Sequence, residues 1–178
     1  MRIAKSDSVL LMIDIQEKLY PHMENKEALR QKVSTLLEGG KALGVPLLAA
    51  RQYPQGLGAT IEEFRPYFTD YYDKMTFSCC GNENLTGKLQ ATKCKNVIIA
   101  GIEAHICVLQ TVVDLKALGY LPVVVADAVS SRNHHDYEFA LRRMEYEGAI
   151  LTTVESILFE LCGQAGSDVF KTISRLIK

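Results

Sequence analysis

Apolar residues fall in short unbroken runs separated by longer amphipathic stretches. Five such runs are Val9–Ile13, Leu47–Ala50, Val97–Ala100, Leu121–Ala126 and Ala149–Leu151. Each is nearly continuous rather than alternating, the pattern of strands buried on both faces. A weaker strand pattern lies at Tyr71–Lys74. Between the runs, Leu29, Val33, Leu36, Leu37 and Leu43 share one helical face, with Asn25 placed as N-cap and Gly44 beyond the C-terminus. Ile106–Leu118 is apolar almost all round and stops at Gly119, which predicts a deeply buried helix. Asp136 is placed to cap a helix carrying Tyr137, Ala140, Leu141 and Met144, and Ser167 to cap a last one carrying Val169, Phe170, Ile173, Leu176 and Ile177. Strand and helix alternating through short links predict an α/β protein, a three-layer α-β-α Rossmann-like domain over residues 1–178 with a mostly parallel sheet of about six strands. The longest irregular stretch, Gln52–Phe68, is predicted to be a functional loop or to carry a short helix.

Composition narrows the function. A chain of 178 residues, 48% hydrophobic and 23% charged, can bury a sizeable core without disulfide or metal staples. A net charge of −1 offers no footprint for nucleic acid or an anionic membrane. No apolar run approaches the roughly 20 residues needed to span a bilayer. The opening MRIAKSDSVLLMIDIQ is interrupted by Asp14 and lacks the small-residue cleavage site of a signal peptide. The five cysteines, Cys79, Cys80, Cys94, Cys107 and Cys162, are odd in number and show no zinc-ligand spacing. A reducing, cytoplasmic setting is therefore expected, where an ordinary cysteine is a small buried hydrophobe.

In open α/β sheets ligands bind beyond the carboxyl ends of the strands, so the residues that follow each run carry the chemistry. They are Asp14 and Gln16, Arg51 and Gln52, Lys74, the segment Gly101-Ile-Glu-Ala-His-Ile-Cys107, and Asp127. Taken singly, Asp14 and Asp127 read as caps, and Arg51 and Lys74 as surface charges. Cys107 stands out, because it lies where a helix would begin and unpaired N–H groups lower a thiol pKa. A carboxylate to accept the thiol proton and an ammonium to orient that carboxylate would complete a nucleophile.

These segments resemble the isochorismatase-like hydrolase superfamily, the cysteine hydrolases that include nicotinamidase. LLMIDIQ resembles its first catalytic motif, DKMTFS its lysine motif and GIEAHICV its cysteine motif, in matching order. The loop QYPQGLGAT, with DAVSSR and LTTVESILFEL, is closer to isochorismatase-domain-containing proteins. The resemblance implies Asp14 as general base, Lys74 as its cationic partner and Cys107 as nucleophile. It also implies a cis peptide at Ile102–Glu103, with the Glu103 and Cys107 N–H groups as oxyanion donors. It implies a homo-oligomer, for which the C-terminal helix and Tyr67–Tyr72 offer candidate surface.

Nicotinamidases carry metal-binding Asp and His residues where this chain has Ala50-Arg51-Gln52-Tyr53-Pro54, so neither metal nor other cofactor is expected. The expected activity is hydrolysis of a small amide-like molecule, with Gln16, Tyr20, Gln52 and Tyr53 as candidate pocket residues. Two other readings stay open: a non-catalytic interaction protein that kept the fold, and a thiol redox sensor with Cys79 and Cys80 as resolving thiols.

Overall fold

The computed structural model describes residues 2–178. Its strands are β1 (Ser8–Ile13), β2 (Leu47–Gln52), β3 (Tyr72–Lys74), β4 (Asn96–Ile102), β5 (Leu121–Ser130) and β6 (Ile150–Thr152). Its helices are α1 (Lys26–Leu43), α2 (Pro54–Leu57), α3 (Glu83–Thr92), α4 (Leu109–Ala117), α5 (His134–Tyr146), α6 (Val154–Cys162) and α7 (Asp168–Ile177). The strands form one six-stranded sheet in the order β3-β2-β1-β4-β5-β6. Every strand pairing is parallel, as the unbroken apolar runs require.

Side chains leave each strand alternately to its two faces and divide the core in two. Leu10 and Met12 of β1 join Ile98, Ala100, Val123 and Val125 under α1, α6 and α7. Val9, Leu11 and Ile13 join Val97, Ile99 and Val124 under α3, α4 and α5. The chain travels from β1 outward to β3, then returns to β4 and travels outward the other way. Strand order thus reverses between β1 and β4, and the crevice at their carboxyl ends is where such sheets hold ligands.

Several elements differ from the sequence pattern. β5 continues past Ala126 to Ser130 because its register against β4 slips: Ile99 pairs with Val124 but Gly101 with Val129. Helix α3 presents only Leu85 and Leu89 to the core, too thin a stripe to announce itself, and the Asn82 side chain caps it by accepting the Leu85 N–H at 2.9 Å. Helix α6 likewise follows a side-chain cap from Thr153. Ser167 caps α7 and Gly44 closes α1 in the left-handed region, both as the pattern predicts. Asn25 holds the N-cap position of α1 at φ 51°, but its side chain makes no capping bond. Helix α5 begins at His134, so Asp136 lies in its first turn rather than at its cap, and accepts a bond from the Asn133 amide at 3.1 Å. The stretch after Gln52 carries α2 and a 3-10 turn, Glu62–Tyr67, and is tied to the sheet by a bridge between Gln16 and Thr60. Among the described residues no helix is long and apolar enough to cross a membrane.

Candidate active site

Three polar side chains from distant parts of the chain converge at the reversal point. Asp14 directly follows β1, Lys74 ends β3, and Cys107 lies in a single π-helical turn, Ala104–Val108, between β4 and α4. Lys74 Nζ donates to Asp14 Oδ2 at 2.7 Å, to Gln52 Oε1 at 2.7 Å and to the Phe77 carbonyl at 2.9 Å. Both partners of this ion pair are buried. Asp14 Oδ1 is also buried and takes no hydrogen bond among the described residues. The Cys107 thiol, in a residue 5% exposed, lies close enough to Asp14 and Lys74 for both to shift its ionisation. Asp14 itself adopts φ 55°, a conformation costly for a non-glycine residue and concentrated at functional sites.

Burial dominates the electrostatics. It pushes the Asp14 carboxyl above its ordinary range, and Lys74 recovers only part of that shift. Burial also opposes the Lys74 charge, but Asp14, helped by the nearby thiols, more than offsets it and holds the ammonium above its usual value. Burial and the Asp14 charge together push the Cys107 thiol up to about 12, against a smaller downward pull from Lys74. The lowered thiol pKa expected from a helix start is therefore absent in the resting site. Desolvation by the surrounding apolar core, with the Asp14 charge, sets the direction instead. What results is a neutral thiol beside an unusually basic carboxylate.

The turn that presents Cys107 has a distinctive hydrogen-bond pattern. The Glu103 carbonyl accepts from Ile106 N–H at 3.1 Å and Val108 N–H at 3.2 Å, passing over the N–H of Cys107. Such π-helical turns are rare and concentrate at functional sites. The peptide bond Ile102–Glu103 is cis. The end of β5 clamps this turn from one side. Arg132 donates its N–H at 3.2 Å and its Nε–H at 3.1 Å to the buried Glu103 carboxylate, and Ser131 Oγ lies 2.9 Å from His105 Nδ1. From the other side, Thr111 donates to the Cys107 carbonyl at 2.7 Å and accepts the Cys79 N–H at 2.9 Å. Ser131, Arg132 and Thr111 escaped the residue-by-residue reading; only the DAVSSR segment hinted at the first two.

The candidate pocket residues divide. Gln16 does not line a pocket: it is fully buried, its amide donates to the carbonyls of Gln52 (2.9 Å) and Gly58 (2.8 Å), and its oxygen accepts the Gln52 N–H at 2.8 Å. It is a structural tie between β1, β2 and the following loop. Gln52 touches the site itself, since its oxygen receives Lys74 and its amide donates to the Met75 carbonyl at 2.9 Å. Tyr20 packs against the core under α1, on the sheet face opposite Cys107, and gives its hydroxyl to the Lys26 carbonyl at 2.9 Å. It is not brought to the triad. Tyr53 stands at the rim, 45% exposed, with its N–H on the Lys74 carbonyl at 2.9 Å. Arg51 pairs with Asp73 at 2.7 and 3.0 Å and lies over the Tyr71 ring. Gln52→Leu, which removes a charged hydrogen bond from a buried ammonium, should lower stability by about 1.5–3 kcal/mol in urea unfolding, whereas Tyr20→Phe should leave turnover unchanged.

An all-parallel sheet that reverses order beside a buried acid, ammonium and thiol is the frame of a small α/β hydrolase. The family model of the isochorismatase domain matches residues 8–156. A secreted isochorismatase effector, Isc1, of Phytophthora sojae is 37% identical over 99% of this chain and 87% of its own. The structure of a protein described as MAR1 ribonuclease from Caenorhabditis elegans superposes with a TM-score of 0.93 at 38% identity, covering 99% of this chain and 92% of that one. An Escherichia coli structure described as an octameric hydrolase of unknown specificity, the YcaC gene product, shares the fold with a TM-score of 0.93 at 24% identity, covering 99% and 90% of the two chains. The chain belongs to the isochorismatase family of hydrolases.

Proposed function

We propose that the protein is a cysteine-dependent hydrolase of small amide-like substrates, working through a thioester with Cys107 as nucleophile, Asp14 as proton carrier and Lys74 as its anchor. The observation that carries this reading is the division of labour on Asp14: Oδ2 is held by Lys74, while Oδ1 is buried and takes no hydrogen bond at ordinary geometry among the described residues, on a carboxylate next to the thiol. As the sulfur attacks the substrate carbonyl carbon, Asp14 takes the thiol proton and negative charge moves onto the carbonyl oxygen. The N–H groups of Cys107 and Glu103 are the donors proposed to receive that oxyanion. Collapse breaks the C–N bond, and Asp14 hands its proton to the departing amine. Water then attacks the thioester carbon and gives its proton to Asp14. The carboxylic acid leaves, and the sulfur recovers the proton.

Burial-raised thiols at Cys79 and at Cys80, the latter about 11, support this reading over a redox relay, which needs accessible thiolates. All five cysteines are free, which supports a reducing compartment such as the cytoplasm. The test is ammonia or amine release across a panel of small amides, with single-stranded RNA included because the Caenorhabditis relative is described as a ribonuclease. At least one amide should be turned over by the wild type and not by Cys107→Ala, and a trapped acyl adduct should map to Cys107. RNA cleavage that survives Cys107→Ala, with no amide turned over, would reject the proposal.

A further inference from the structure

The helix that follows Cys107 meets the core with Val108, Val112 and Leu115, and Thr111 beside them is fully buried as well. A valine of nearly the same shape would suit an apolar site, so it is the hydroxyl that calls for a reason. That hydroxyl lies between the two segments that carry the thiol and the ammonium. One helical turn after Cys107, it donates back to the Cys107 carbonyl at 2.7 Å. It also accepts the Cys79 N–H at 2.9 Å. Cys79 closes the loop that begins at Lys74, and the Lys74 ammonium fastens the same loop from inside. Its Nζ donates to the Thr76 carbonyl at 3.4 Å and to the Phe77 carbonyl at 2.9 Å. Thr76 Oγ1 donates to the Ser78 carbonyl at 2.8 Å and shapes the turn between them.

Hydrogen bonds and a short piece of backbone thus run without a break from the nucleophile to the ammonium: Cys107 carbonyl, Thr111 hydroxyl, Cys79 N–H, Phe77 carbonyl, Lys74. The side chains of the loop hold it little, since Met75 is 71% exposed and Phe77 53%. Backbone groups anchor it instead: the carbonyls on Lys74, the Met75 carbonyl on the Gln52 amide at 2.9 Å, and the Cys79 N–H on Thr111. Burial, and then the Asp14 charge, push the Cys107 thiol up, and Lys74 pulls it down. A charge's pull weakens with distance, so whatever fixes the ammonium against the thiol also tunes the thiol. We propose that Thr111 is a positioning residue, whose hydroxyl sets the spacing between the Lys74 ammonium and the Cys107 thiol by fastening the Lys74 loop to the nucleophile's turn. Without that hydroxyl, the Cys79 N–H and the Cys107 carbonyl each lose a partner in a buried place. The loop eases away, and the ammonium bound to its carbonyls follows. This role requires only the thiol beside Lys74, and does not depend on which substrate the thiol attacks.

The rate at which iodoacetamide labels Cys107 in the full chain, at one fixed alkaline pH and mapped by peptide mass, reads the thiolate fraction without any substrate. Thr111→Val removes both bonds and should lower that rate about three- to tenfold, within the range of coupling inside one hydrogen-bond network. Thr111→Ala is the second variant, for use if valine prevents folding, and the same fall is expected. Thr111→Ser keeps the hydroxyl and should restore the wild-type rate. An Asp14→Asn/Lys74→Met background removes both charges together and strands neither. In that background Thr111→Val should leave the rate unchanged, because no ammonium remains to be positioned. Melting temperatures are measured beside the rates. A threonine that serves packing alone would lower the melting temperature and leave the labelling rate unchanged, or raise it by loosening the core; either outcome overturns the proposal. So does a Thr111→Ser protein that labels as slowly as Thr111→Val, or a fall of the same size in the charge-free background.

Discussion

Asp14→Asn and Lys74→Met will move the Cys107 thiol in opposite directions while both abolish turnover. The thiol stands at about 12 because burial, and then the Asp14 charge, raise it against the pull of Lys74. Neutralising Asp14 removes an upward cause, so Cys107 in Asp14→Asn should begin to react with iodoacetamide at a lower pH than in the wild type. Removing the ammonium removes a downward cause, so Lys74→Met should shift the same reaction to higher pH. Greater thiol reactivity in Asp14→Asn will not rescue catalysis, since no group remains to give the leaving amine its proton; a loss of about 10²–10⁴ in kcat is expected. Lys74→Met also strands a buried carboxylate, which should cost about 3–5 kcal/mol of stability in urea. In the wild type, burial places the Asp14 carboxyl above its ordinary 3.8, so kcat/KM should fall on the acid side at a higher pH than an exposed aspartate would give. The acid limb tracks loss of the carboxylate and the plateau its retention, with no further rise near the ordinary cysteine pKa. Alkylation profiles of both variants, beside turnover, check the signs. Shifts in the same direction, or near-normal turnover in Asp14→Asn, would exclude the proposed division of labour.

Sheet and helices were legible where burial leaves a one-dimensional trace. Val9–Ile13 and Val97–Ala100 are covered on both faces, so no polar residue interrupts them. The helix after Gly101 is less buried than its apolar run predicts: Val108, Val112 and Leu115 face the core, but Gln110, Lys116 and Leu118 are exposed, so it is covered on one side only. Helix α3 left little trace, as two leucines suffice to seat it. The site divides along the same line. Asp14, Lys74 and Cys107 could be found because strand ends mark where polar groups gather, and the family motifs coincide with those ends. The roles of Gln16 and Gln52 could not, because they depend on which backbone atoms lie opposite once β1, β2 and β3 are in register. A glutamine after a strand reads as pocket lining until its amide is seen spent on the Gln52 and Gly58 carbonyls. Tyr20 was misplaced for a related reason: nearness in sequence to Asp14 does not say on which face of the sheet the chain turns. The sign of the Cys107 shift failed most instructively. A helix start is a local feature and its field can be read from sequence, whereas desolvation is the summed effect of every element packed around the thiol.

Gly101→Ala will prevent the native fold, while Gly119→Ala will be tolerated. Both glycines have positive φ, 132° and 85° respectively, so an alanine at either is strained, and for a left-handed residue that strain is about 1–2 kcal/mol. They differ in what surrounds them. A Cβ at Gly119 would meet nothing within 4 Å. A Cβ at Gly101 would lie 2.1 Å from the carbonyl oxygen of Ile13 and 2.6 Å from its nitrogen. These are backbone atoms of the central strand, paired in register with Gly101 itself, and they cannot yield without opening the β1–β4 ladder. The loss should exceed about 4 kcal/mol, beyond the range of ordinary substitutions. This crowding also bears on the site. Ile13 immediately precedes Asp14, and Gly101 immediately precedes the Ile102–Glu103 segment that leads to Cys107. Close approach of β1 and β4 is thus what brings Asp14 and Cys107 together, and a side chain between the strands separates the two. Soluble yield, near-ultraviolet circular dichroism and urea midpoints for the two variants make the comparison. If Gly101→Ala matched Gly119→Ala in stability, the two central strands would not be packed as closely as this fold requires.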